Sequence, residues 1–385
     1  MKVFVVAGEP SGDRLGGALM AGLRSLDPGV TFAGVGGPEM TGQGLDSLFE
    51  MSELSVMGLA EVLPRYPQLV RRMKQTADRA VALTPDVIVT IDSPDFCLRV
   101  LKRVRAARSK QRAVHYVSPT VWAWRPHRVE KMAGLVDQVL TLFPFEPPYL
   151  EKAGIRADFV GHPVATDPRA TLDETRAFRD AHGLADAPVV LTLPGSRRGE
   201  VSRLAPIFGE ALRPVLAARP NARVVLPAAA PVAALVTDLV RSWPGTPVVL
   251  DPRGQGLEKS LRDKRAAIAA ADVALAASGT VSLELAAQGT PMVIAYDMAW
   301  ISRQIIKSML RIDTVTLVNL VSETRAVPEF LGAACKPGPI GSALLDVLEN
   351  PASQRDALEV TMERLGRGGE APGLRAARAV LDGLG

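Results

Sequence analysis

The stretch Val189 to Val201, VVLTLPGSRRGEV, lies just before the middle of the 385-residue chain and decides the predicted fold. A short β-branched run ends in the turn 194–196, and apolar residues at helical spacing follow. This order predicts a buried strand, a tight turn and a helix. Such a turn aims backbone N–H groups and the positive end of a helix dipole at one point, beside Arg197 and Arg198. The stretch is typical of a phosphate site, or of an ordinary loop with solvated arginines.

Strands alternate with helical patterns along the rest of the chain. The segment 3–13, VFVVAGEPSGD, repeats the strand and turn, with Ser11 available as a helix N-cap. Alternation of this kind predicts parallel sheets with helical crossovers, and the length predicts two Rossmann-like α/β domains facing a cleft. The other strand-like runs are Thr31–Val35, Val87–Ile91, His115–Val117, Val224–Leu226, Val248–Leu250, Val273–Ala276 and Met292–Ala295.

Composition argues against several classes of protein. The chain has 47% hydrophobic and 22% charged residues, as globular proteins do, and its net charge of +4 is spread along the sequence, which argues against a nucleic-acid partner. Cys97 and Cys335 follow no disulfide or metal spacing, and no Asp-x-Asp occurs, so a reducing compartment and no metal site are predicted. No signal peptide is predicted, and the longest apolar run, 224–236, is too short to span a membrane.

Two common nucleotide-binding motifs are missing. Gly34-x-Gly36 lacks the third glycine of the dinucleotide fingerprint because the next required position is Glu39. No Gly-x-x-x-x-Gly-Lys occurs either. The sequence therefore argues against a dehydrogenase and against a P-loop NTPase.

Two pairs of carboxylates follow predicted strands. Asp92 and Asp95 lie at the carboxyl end of the run 87–91, where open α/β sheets place their active sites. Asp92 is the candidate general base, and Asp95 is the more obvious helix cap. Glu9 and Asp13 follow the first strand, and they suit a hydroxyl-rich ligand or a cation, or serve only to complement a helix dipole.

The segment ASGTVSLE, 277–284, repeats the phosphate-suited turn. Ser278, Gly279 and Thr280 present N–H groups and hydroxyls before a predicted helix, and Glu284 lies one turn into that helix. A Ser-Gly-Thr sequence before a helix is also a common cap. Two such turns in one half of the chain favour a nucleotide diphosphate as the ligand.

Aromatic and amphipathic segments supply further candidates. In the loop 118–128, Trp122 and Arg125 could hold a sugar face and an anion, or simply pack. The segment 59–73 predicts an amphipathic helix that starts regularly near Pro64 and Pro67. Basic residues border its apolar face, as in helices that rest on anionic membranes, although core-facing helices are more common. The apolar face comprises Leu59, Val62, Leu63, Tyr66, Leu69, Val70 and Met73, and the basic residues are Arg65, Arg71, Arg72 and Lys74.

Six motifs together resemble the lipid-A-disaccharide synthase family. Each is weak alone, and their combination in the family's order is specific. The family usually has asparagine where this chain has Cys97. The motifs are AGEPSGD at 7–13, IDSPDF at 91–96, HYVSPTVWAW at 115–124, FVGHP at 159–163, LPGSR at 193–197 and ASGTVSLE at 277–284.

The resemblance implies a metal-independent, inverting GT-B glycosyltransferase without a cofactor. It would join UDP-2,3-diacylglucosamine to 2,3-diacylglucosamine 1-phosphate, release UDP and leave a β-1,6 disaccharide. Asp92 is implied as the essential carboxylate and base, and Arg197 as the group at the donor phosphates. Implied donor contacts are Ser196, Ser278, Gly279, Thr280, Glu284 and Asn319, and further candidate substrate contacts are Glu9, Ser11, Trp122 and Arg125.

Lipid substrates also change the interpretation of the 59–73 face. The resemblance implies a cytoplasmic enzyme at the inner membrane of a Gram-negative bacterium, so this face becomes a candidate for membrane docking. We expect domains at 1–168 and 169–350, and a helical tail, 351–385, that returns to the first domain or swaps with a second copy. A homodimer is therefore left open.

Two alternatives share the predicted architecture. An isomerase like UDP-N-acetylglucosamine 2-epimerase would have the same two domains and turns, and it would act without an acceptor. A non-catalytic two-domain binding protein would close on a ligand and would need neither Asp92 nor Arg197.

Overall fold

The computed structural model describes residues 1–54, 59–122, 127–298 and 312–384, with side chains described from residue 64 in the second range and from residue 128 in the third. The chain forms two compact units. One comprises Met1–Thr166 with Leu365–Gly385, and the other comprises Asp167–Arg364. Each unit contains one six-stranded parallel sheet, which confirms the predicted pair of Rossmann-like α/β folds.

The sheet of the first unit has the strand order β2-β1-β3-β4-β5-β6. The chain passes outward from β1 to β2 and then returns to the other side of β1, so the strand order reverses between β1 and β3. Helices cover both faces of the sheet, which explains why β1 and β3 are continuous apolar runs. The strands are β1 Lys2–Ala7, β2 Thr31–Val35, β3 Val87–Ile91, β4 Ala113–Tyr116, β5 Gln138–Thr141 and β6 Arg156–Phe159.

The sheet of the second unit has the order β12-β11-β10-β7-β8-β9. Its strand order reverses between β7 and β10, because the chain passes from β7 to β8 and β9 before it returns to pair β10 with β7. The strands are β7 Val189–Leu193, β8 Arg223–Pro227, β9 Val248–Leu250, β10 Val273–Ala276, β11 Met292–Tyr296 and β12 Glu329–Leu331.

Helices alternate with these strands. In chain order they are α1 Pro10–Leu26, α2 Pro38–Gly42, α3 Leu59–Leu83, α4 Pro94–Ala107, α5 His127–Met132, α6 Pro147–Glu151, α7 Leu172–Ala181, α8 Arg198–Ala218, α9 Ala233–Val240, α10 Leu257–Ala269, α11 Val281–Gln288, α12 Leu317–Ser322, α13 Pro337–Glu349, α14 Ala352–Arg364 and α15 Pro372–Asp382. In the described ranges, no helix is both long enough and apolar enough to cross a bilayer.

The helix α8 shows how the sequence pattern becomes core. Its apolar residues recur at helical spacing, and most of them are buried in the core of the second unit, while Ile207 and Leu216 are partly buried. Complete burial of a side chain such as Phe208 contributes about 1.5–3 kcal/mol relative to exposure. The buried residues are Val201, Leu204, Phe208, Ala211, Leu212 and Val215.

Two predicted helix starts are wrong. The helix α1 begins at Pro10 with Glu9 at the N-cap, so Ser11 lies inside the first turn and does not cap it. Proline suits the first helical position because its missing N–H would have no partner there. The helix α3 begins at Leu59, so Pro64 and Pro67 lie within the helix and remove two of its backbone donors.

Asp13 has a purely structural role, in capping α2. Its side chain is 2% exposed and accepts hydrogen bonds from the backbone N–H groups of Gly37 at 2.7 Å, Glu39 at 2.9 Å and Met40 at 3.1 Å. These donors are first-turn groups that the helix itself leaves unpaired. The carboxylate of Asp13 therefore holds α2 against α1.

The segment 351–385 is divided between the units. The helix α14 belongs to the second unit, and the chain rejoins the first unit at Leu365. There α15 packs on α1 so closely that a Cβ atom on Gly22 would lie 2.6 Å from the carbonyl oxygen of Gly373. Gln138 Nε2 also donates to the carbonyl oxygen of Ala379 at 2.8 Å, which fixes α15 beside the first sheet.

Candidate functional site

Each sheet carries a pocket at the point where its strand order reverses. Loops that leave the sheet on opposite sides of such a point diverge and leave a crevice at the carboxyl ends of the strands. In the second unit, a pocket of about 410 Å³ lies at the loops that follow β7 and β10. In the first unit, a pocket of about 500 Å³ lies at the loops that follow β1 and β3. We call them the second-unit pocket and the first-unit pocket.

The second-unit pocket brings the two predicted phosphate-suited turns together. The backbone N–H of Ala277 donates to the carbonyl oxygen of Leu193 at 2.9 Å, so the two turns begin side by side. Neither N-cap residue, Arg197 of α8 or Thr280 of α11, makes a side-chain capping hydrogen bond to the backbone of its helix. The positive ends of two helices therefore meet one pocket, and each helix also carries one carboxylate in its first turn, Glu200 in α8 and Glu284 in α11. The turn residues that line it include Gly195, Ser196, Ser278, Gly279 and Thr280.

The turn before α8 requires glycine at position 195. Gly195 has φ +118°, and a Cβ atom there would lie 2.8 Å from Glu200 Oε2. Only glycine adopts this backbone conformation at low cost. The shape of this anion-suited turn therefore depends on glycine at position 195.

Arg197 is the N-cap residue of α8 and supplies a positive charge that lines this pocket. Its side chain is 67% exposed, and its Nη1 lies 3.3 Å from Glu200 Oε1, which also accepts from the Tyr296 hydroxyl at 3.4 Å. An exposed ion pair contributes little stability, so the guanidinium can turn to a bound anion at low cost. Burial, followed by the charge of Glu200, raises the pKa of Tyr296 and keeps its hydroxyl a neutral donor.

Lys264 is a pocket residue that the sequence analysis missed. Its Nζ lies 2.5 Å from Glu284 Oε2, and both side chains line the second-unit pocket. Lys264 lies on α10, which precedes β10, whereas Glu284 lies on α11, which follows it. No local sequence motif marks Lys264. The pair places two groups in the pocket: a carboxylate, which can accept hydrogen bonds from hydroxyl groups, and an ammonium group beside it.

Asn319 lies apart from the residues that line this pocket. Its side chain is buried, donates to Val327 O at 2.9 Å and Thr314 Oγ1 at 3.3 Å, and accepts from Val327 N at 3.0 Å. These bonds use most of the hydrogen-bonding capacity of the amide. Asn319 therefore fastens the chain between residues 314 and 327.

The first-unit pocket has one polar and one apolar side. Glu9 and Ser93 come from the strand ends, and the apolar side comes from α3, whose leading residue Tyr66 is 49% exposed. The described part of the predicted 59–73 face therefore adjoins the predicted contact Glu9. The side chains of Leu59, Val62 and Leu63 lie outside the described residues. The α3 residues that line the pocket are Tyr66, Leu69, Val70 and Met73.

Asp92 and Ser93 form a strained turn beside this pocket. Their φ angles are +52° and +41°, a left-handed conformation that costs non-glycine residues about 1–3 kcal/mol each. The Asp92 N–H donates to Tyr116 O at 2.9 Å, which holds the turn against β4. Gly8 leaves room for it, since a Cβ atom there would lie 2.7 Å from Ser93 Oγ. Strain of this kind is concentrated at functional sites.

Asp95 has a different position from the one predicted. The N-cap of α4 is Ser93, which makes no side-chain capping bond, and Asp95 lies in the first turn and lines the first-unit pocket. The predicted capping role of Asp95 is therefore wrong. With Ser93 at the N-cap, the helix starts two residues earlier than an Asp95 cap would require.

Trp122 packs in a buried aromatic cluster. Its side chain is 6% exposed, its ring meets Phe145 edge-on at 5.0 Å, and its Nε1 donates to Glu146 Oε1 at 3.2 Å. The backbone N–H groups of Leu142 and Phe143 also donate to Glu146. Burial outweighs these donors and raises the pKa of Glu146 to about 7. Arg125 lies outside the described residues.

Arg72 belongs to the fold, unlike the other basic residues of α3. Its Nε donates to Glu53 Oε2 at 2.8 Å, and its guanidinium stacks over Phe49 at 4.5 Å from the ring centre. The hydrogen bonds from Arg72 lower the pKa of Glu53. This pair clamps α3 onto the segment before it. The basic residues of α3 left exposed are Arg65, Arg71, Lys74 and Arg79.

The described residues contain no group of three or more His, Cys, Asp or Glu side chains placed to hold a metal ion. The free cysteines, Cys97 and Cys335, are both buried. Burial, followed by the charge of Asp92, raises the pKa of the Cys97 thiol, which leaves it a neutral core side chain.

Comparison with known sequences identifies close relatives over the whole chain. The sequence profile described as Lipid-A-disaccharide synthetase matches residues 3–371. The lipid-A-disaccharide synthase of Ruegeria pomeroyi is 62% identical over 384 residues, covering 100% of this chain and 96% of that protein. The lipid-A-disaccharide synthase of Rhodospirillum centenum is 46% identical, covering 99% of this chain and 94% of that protein.

Solved structures share the fold at low sequence identity. The UDP-GlcNAc 2-epimerase from Neisseria meningitidis bound to UDP-GlcNAc has a TM-score of 0.62 and 12% identity, over 100% of this chain and 99% of that one. Anabaena HepE in complex with UDP-glucose has a TM-score of 0.55 and 13% identity, over 100% and 98%. These likenesses support the GT-B-type pairing of two Rossmann-like folds.

Replacement of Glu146 by glutamine should flatten the pH dependence of stability. Because the folded protein raises the pKa of Glu146 from 4.5 to about 7, folding retains its proton, and the wild type loses stability as pH rises between these values. The expected loss between pH 5 and pH 7.5 is roughly 2 kcal/mol. Urea unfolding at pH 5 and at pH 7.5 measures it, with the exposed Glu151→Gln on α6 as the control. Equal slopes for wild type and Glu146→Gln would contradict this account of the cluster.

Proposed function

The chain belongs to the lipid-A-disaccharide synthase family and is a glycosyltransferase of lipid A biosynthesis, and we propose that it joins UDP-2,3-diacylglucosamine to 2,3-diacylglucosamine 1-phosphate. The products are UDP and a β-1,6-linked disaccharide 1-phosphate. The reaction inverts the configuration at the donor's anomeric carbon. In this proposal the second unit holds the donor and the first unit holds the acceptor.

The observation that carries the donor assignment is the convergence of two helix N-termini on one pocket. A diphosphate needs a group of donors and positive charge, which the N-termini of α8 and α11 and Arg197 supply. Ser196 and the turn 278–280 would contact the phosphates, and Glu284 would accept from the ribose hydroxyls. A protein of the same fold, the Neisseria epimerase, is bound to UDP-GlcNAc, which agrees with a UDP-sugar ligand.

The first-unit pocket suits the acceptor, which is an amphiphile. Its polar side, which includes Glu9, would hold the sugar, and the apolar residues of α3 would lie along an acyl chain. Ser11, in the exposed first turn of α1, is a further candidate contact of the sugar. Trp122 would act through the buried cluster that supports its loop.

The chemistry is a single displacement. The acceptor's 6-hydroxyl attacks the donor's anomeric carbon from the side opposite to UDP, and Asp92 takes the proton of that hydroxyl. Negative charge grows on the leaving diphosphate, where Arg197 and the helix N-termini stabilise it. This arrangement supplies the charge that a metal ion supplies in other transferases. The hydrogen bond from the Asp92 N–H to Tyr116 O holds the turn that carries this carboxylate.

The exposed edge of α3 supports peripheral docking at the inner-membrane surface. Both substrates carry acyl chains, and the apolar residues of α3 that line the first-unit pocket lie on the same helix as the exposed Arg65, Arg71 and Lys74. Apolar residues bordered by basic ones bind anionic bilayers through burial of apolar surface and through attraction between the basic side chains and the lipid headgroups. The acceptor would then enter its pocket directly from the lipid phase.

Family membership separates this proposal from the two alternatives. Epimerases resemble this chain at 12% identity, a level that supports the fold alone, whereas a lipid-A-disaccharide synthase is 62% identical over its whole length. The hypothesis of a non-catalytic binding protein is contradicted because the family to which the chain belongs is a family of enzymes.

Removal of the base or of the charge at the donor phosphates should abolish most activity. We expect Asp92→Ala and Arg197→Ala each to lower kcat at least ~100-fold, the usual effect of losing one proton-transfer or charge-stabilising group. The matched control is Arg198→Ala, whose exposed arginine does not line the pocket. Near-normal turnover by a folded Asp92 or Arg197 variant would refute that residue's role.

Replacement of the apolar edge of α3 should weaken membrane binding. We expect the combined change Tyr66→Ser, Leu69→Ser and Val70→Ser to lower the affinity for anionic vesicles at least ~10-fold, because three apolar contacts are lost. Vesicle sedimentation measures this affinity. The control combines Leu172→Ser, Leu257→Ser and Leu261→Ser, which are 76%, 77% and 53% exposed in the second unit. Unchanged vesicle binding, or loss of folding, would show that the α3 face is core.

A further inference from the structure

We infer that Arg99 and Asp95 form the polar end of the acceptor site, with Arg99 binding the acceptor's phosphate and Asp95 accepting from a hydroxyl of its sugar ring. The inference rests on the proposed function and adds to it a basis for acceptor specificity. Neither residue is part of a phosphate motif in the sequence. Their assignment comes from where α4 places them.

The two side chains are charged, adjacent and unpaired. They lie four residues apart on α4 and both line the first-unit pocket. Opposite charges at this spacing on an exposed helix commonly attract each other. Among the residues that the structure describes, however, neither the Asp95 carboxylate nor the Arg99 guanidinium makes a hydrogen bond or an ion pair. The next arginine of the helix, Arg103, is paired with Asp78 at 2.9 Å.

The surroundings indicate which ligand the pair suits. The same pocket is also lined by apolar side chains, which include Leu69, Val70 and Met73 of α3. A purely anionic ligand would meet the carboxylates of Asp95 and Glu9, and a purely apolar one would leave Arg99 facing hydrocarbon. An acylated sugar phosphate suits all of these groups. Its hydroxyls can donate to the carboxylates, its phosphate can bind Arg99, and its acyl chain can contact the apolar residues of α3.

The spacing along α4 agrees with the dimensions of such a ligand. Four helical residues span about 6 Å, which is comparable to the span of one hexose ring. Asp95 lies in the turn next to Asp92, and Arg99 lies one turn further along the helix. A sugar lying along α4 would therefore place its 6-hydroxyl near Asp92 and its anomeric phosphate near Arg99. The planar guanidinium matches two phosphate oxygens at once.

Deletion of the phosphate from the substrate tests Arg99 directly. Transfer from UDP-2,3-diacylglucosamine is measured in detergent micelles with 2,3-diacylglucosamine 1-phosphate and with 2,3-diacylglucosamine as acceptors. A charge-assisted contact predicts that the wild type prefers the phosphorylated acceptor by ~10–100-fold in kcat/KM. Arg99→Gln should lose that preference through a higher acceptor KM, while its activity on the unphosphorylated acceptor stays unchanged. Arg99→Lys should restore part of the preference.

Asp95 and a neighbouring arginine complete the design. Asp95→Asn should raise the KM of both acceptors by the same factor, ~10-fold, and leave the KM of the UDP-sugar unchanged. Arg103→Gln, one turn beyond the pocket on α4, should keep the wild-type preference and thereby exclude a general effect of charge.

The possible failures are distinguishable. If Arg99→Gln folds and still prefers the phosphorylated acceptor as strongly as the wild type, the assignment of Arg99 is overturned while the proposed function stands. If the KM of the UDP-sugar rises in Asp95→Asn as much as that of the acceptor, the assignment of Asp95 is overturned. Failure of the wild type to use either acceptor contradicts the proposed function and, with it, this inference.

Discussion

The reversal of strand order in each parallel sheet is the constraint on which the rest of the structure depends. A parallel sheet brings the carboxyl ends of all its strands to one edge, and only at the reversal do neighbouring loops separate enough to admit a ligand. The reversal between β7 and β10 places the turns 194–196 and 278–280 side by side. The reversal between β1 and β3 does the same for Glu9 and the strained turn at Asp92. Each set of candidate residues converges because of topology.

In the proposed function, the two pockets use different physical chemistry for different substrates. The second-unit pocket is built from helix N-termini and charged side chains, which suits a diphosphate whose charge grows during reaction. The first-unit pocket joins unpaired charges to an apolar helix face, which suits a lipid with a polar head. Other charged residues stabilise the fold and line neither pocket. Asp13 caps a helix and Arg72 clamps α3, and each is held by several hydrogen bonds within the protein.

Local patterns predicted the strands and turns well, because a buried run, a glycine turn and an amphipathic helix are each coded within about 25 residues. The runs 31–35, 87–91, 248–250 and 273–276 have the predicted bounds. Contacts between distant segments could not be predicted. Lys264 reaches Glu284 from another helix, and Asp95 faces a pocket because Ser93 takes a left-handed conformation. Such placements depend on tertiary packing, which no single segment encodes.

The most direct test of the proposed reaction is the product balance of the purified wild-type protein. The protein is incubated with UDP-2,3-diacylglucosamine, with and without 2,3-diacylglucosamine 1-phosphate, and the products are quantified by mass spectrometry. The proposed function predicts equal amounts of UDP and disaccharide 1-phosphate, formed only when the acceptor is present. An isomerised UDP-sugar, UDP release that is independent of the acceptor, or no product at all would contradict it.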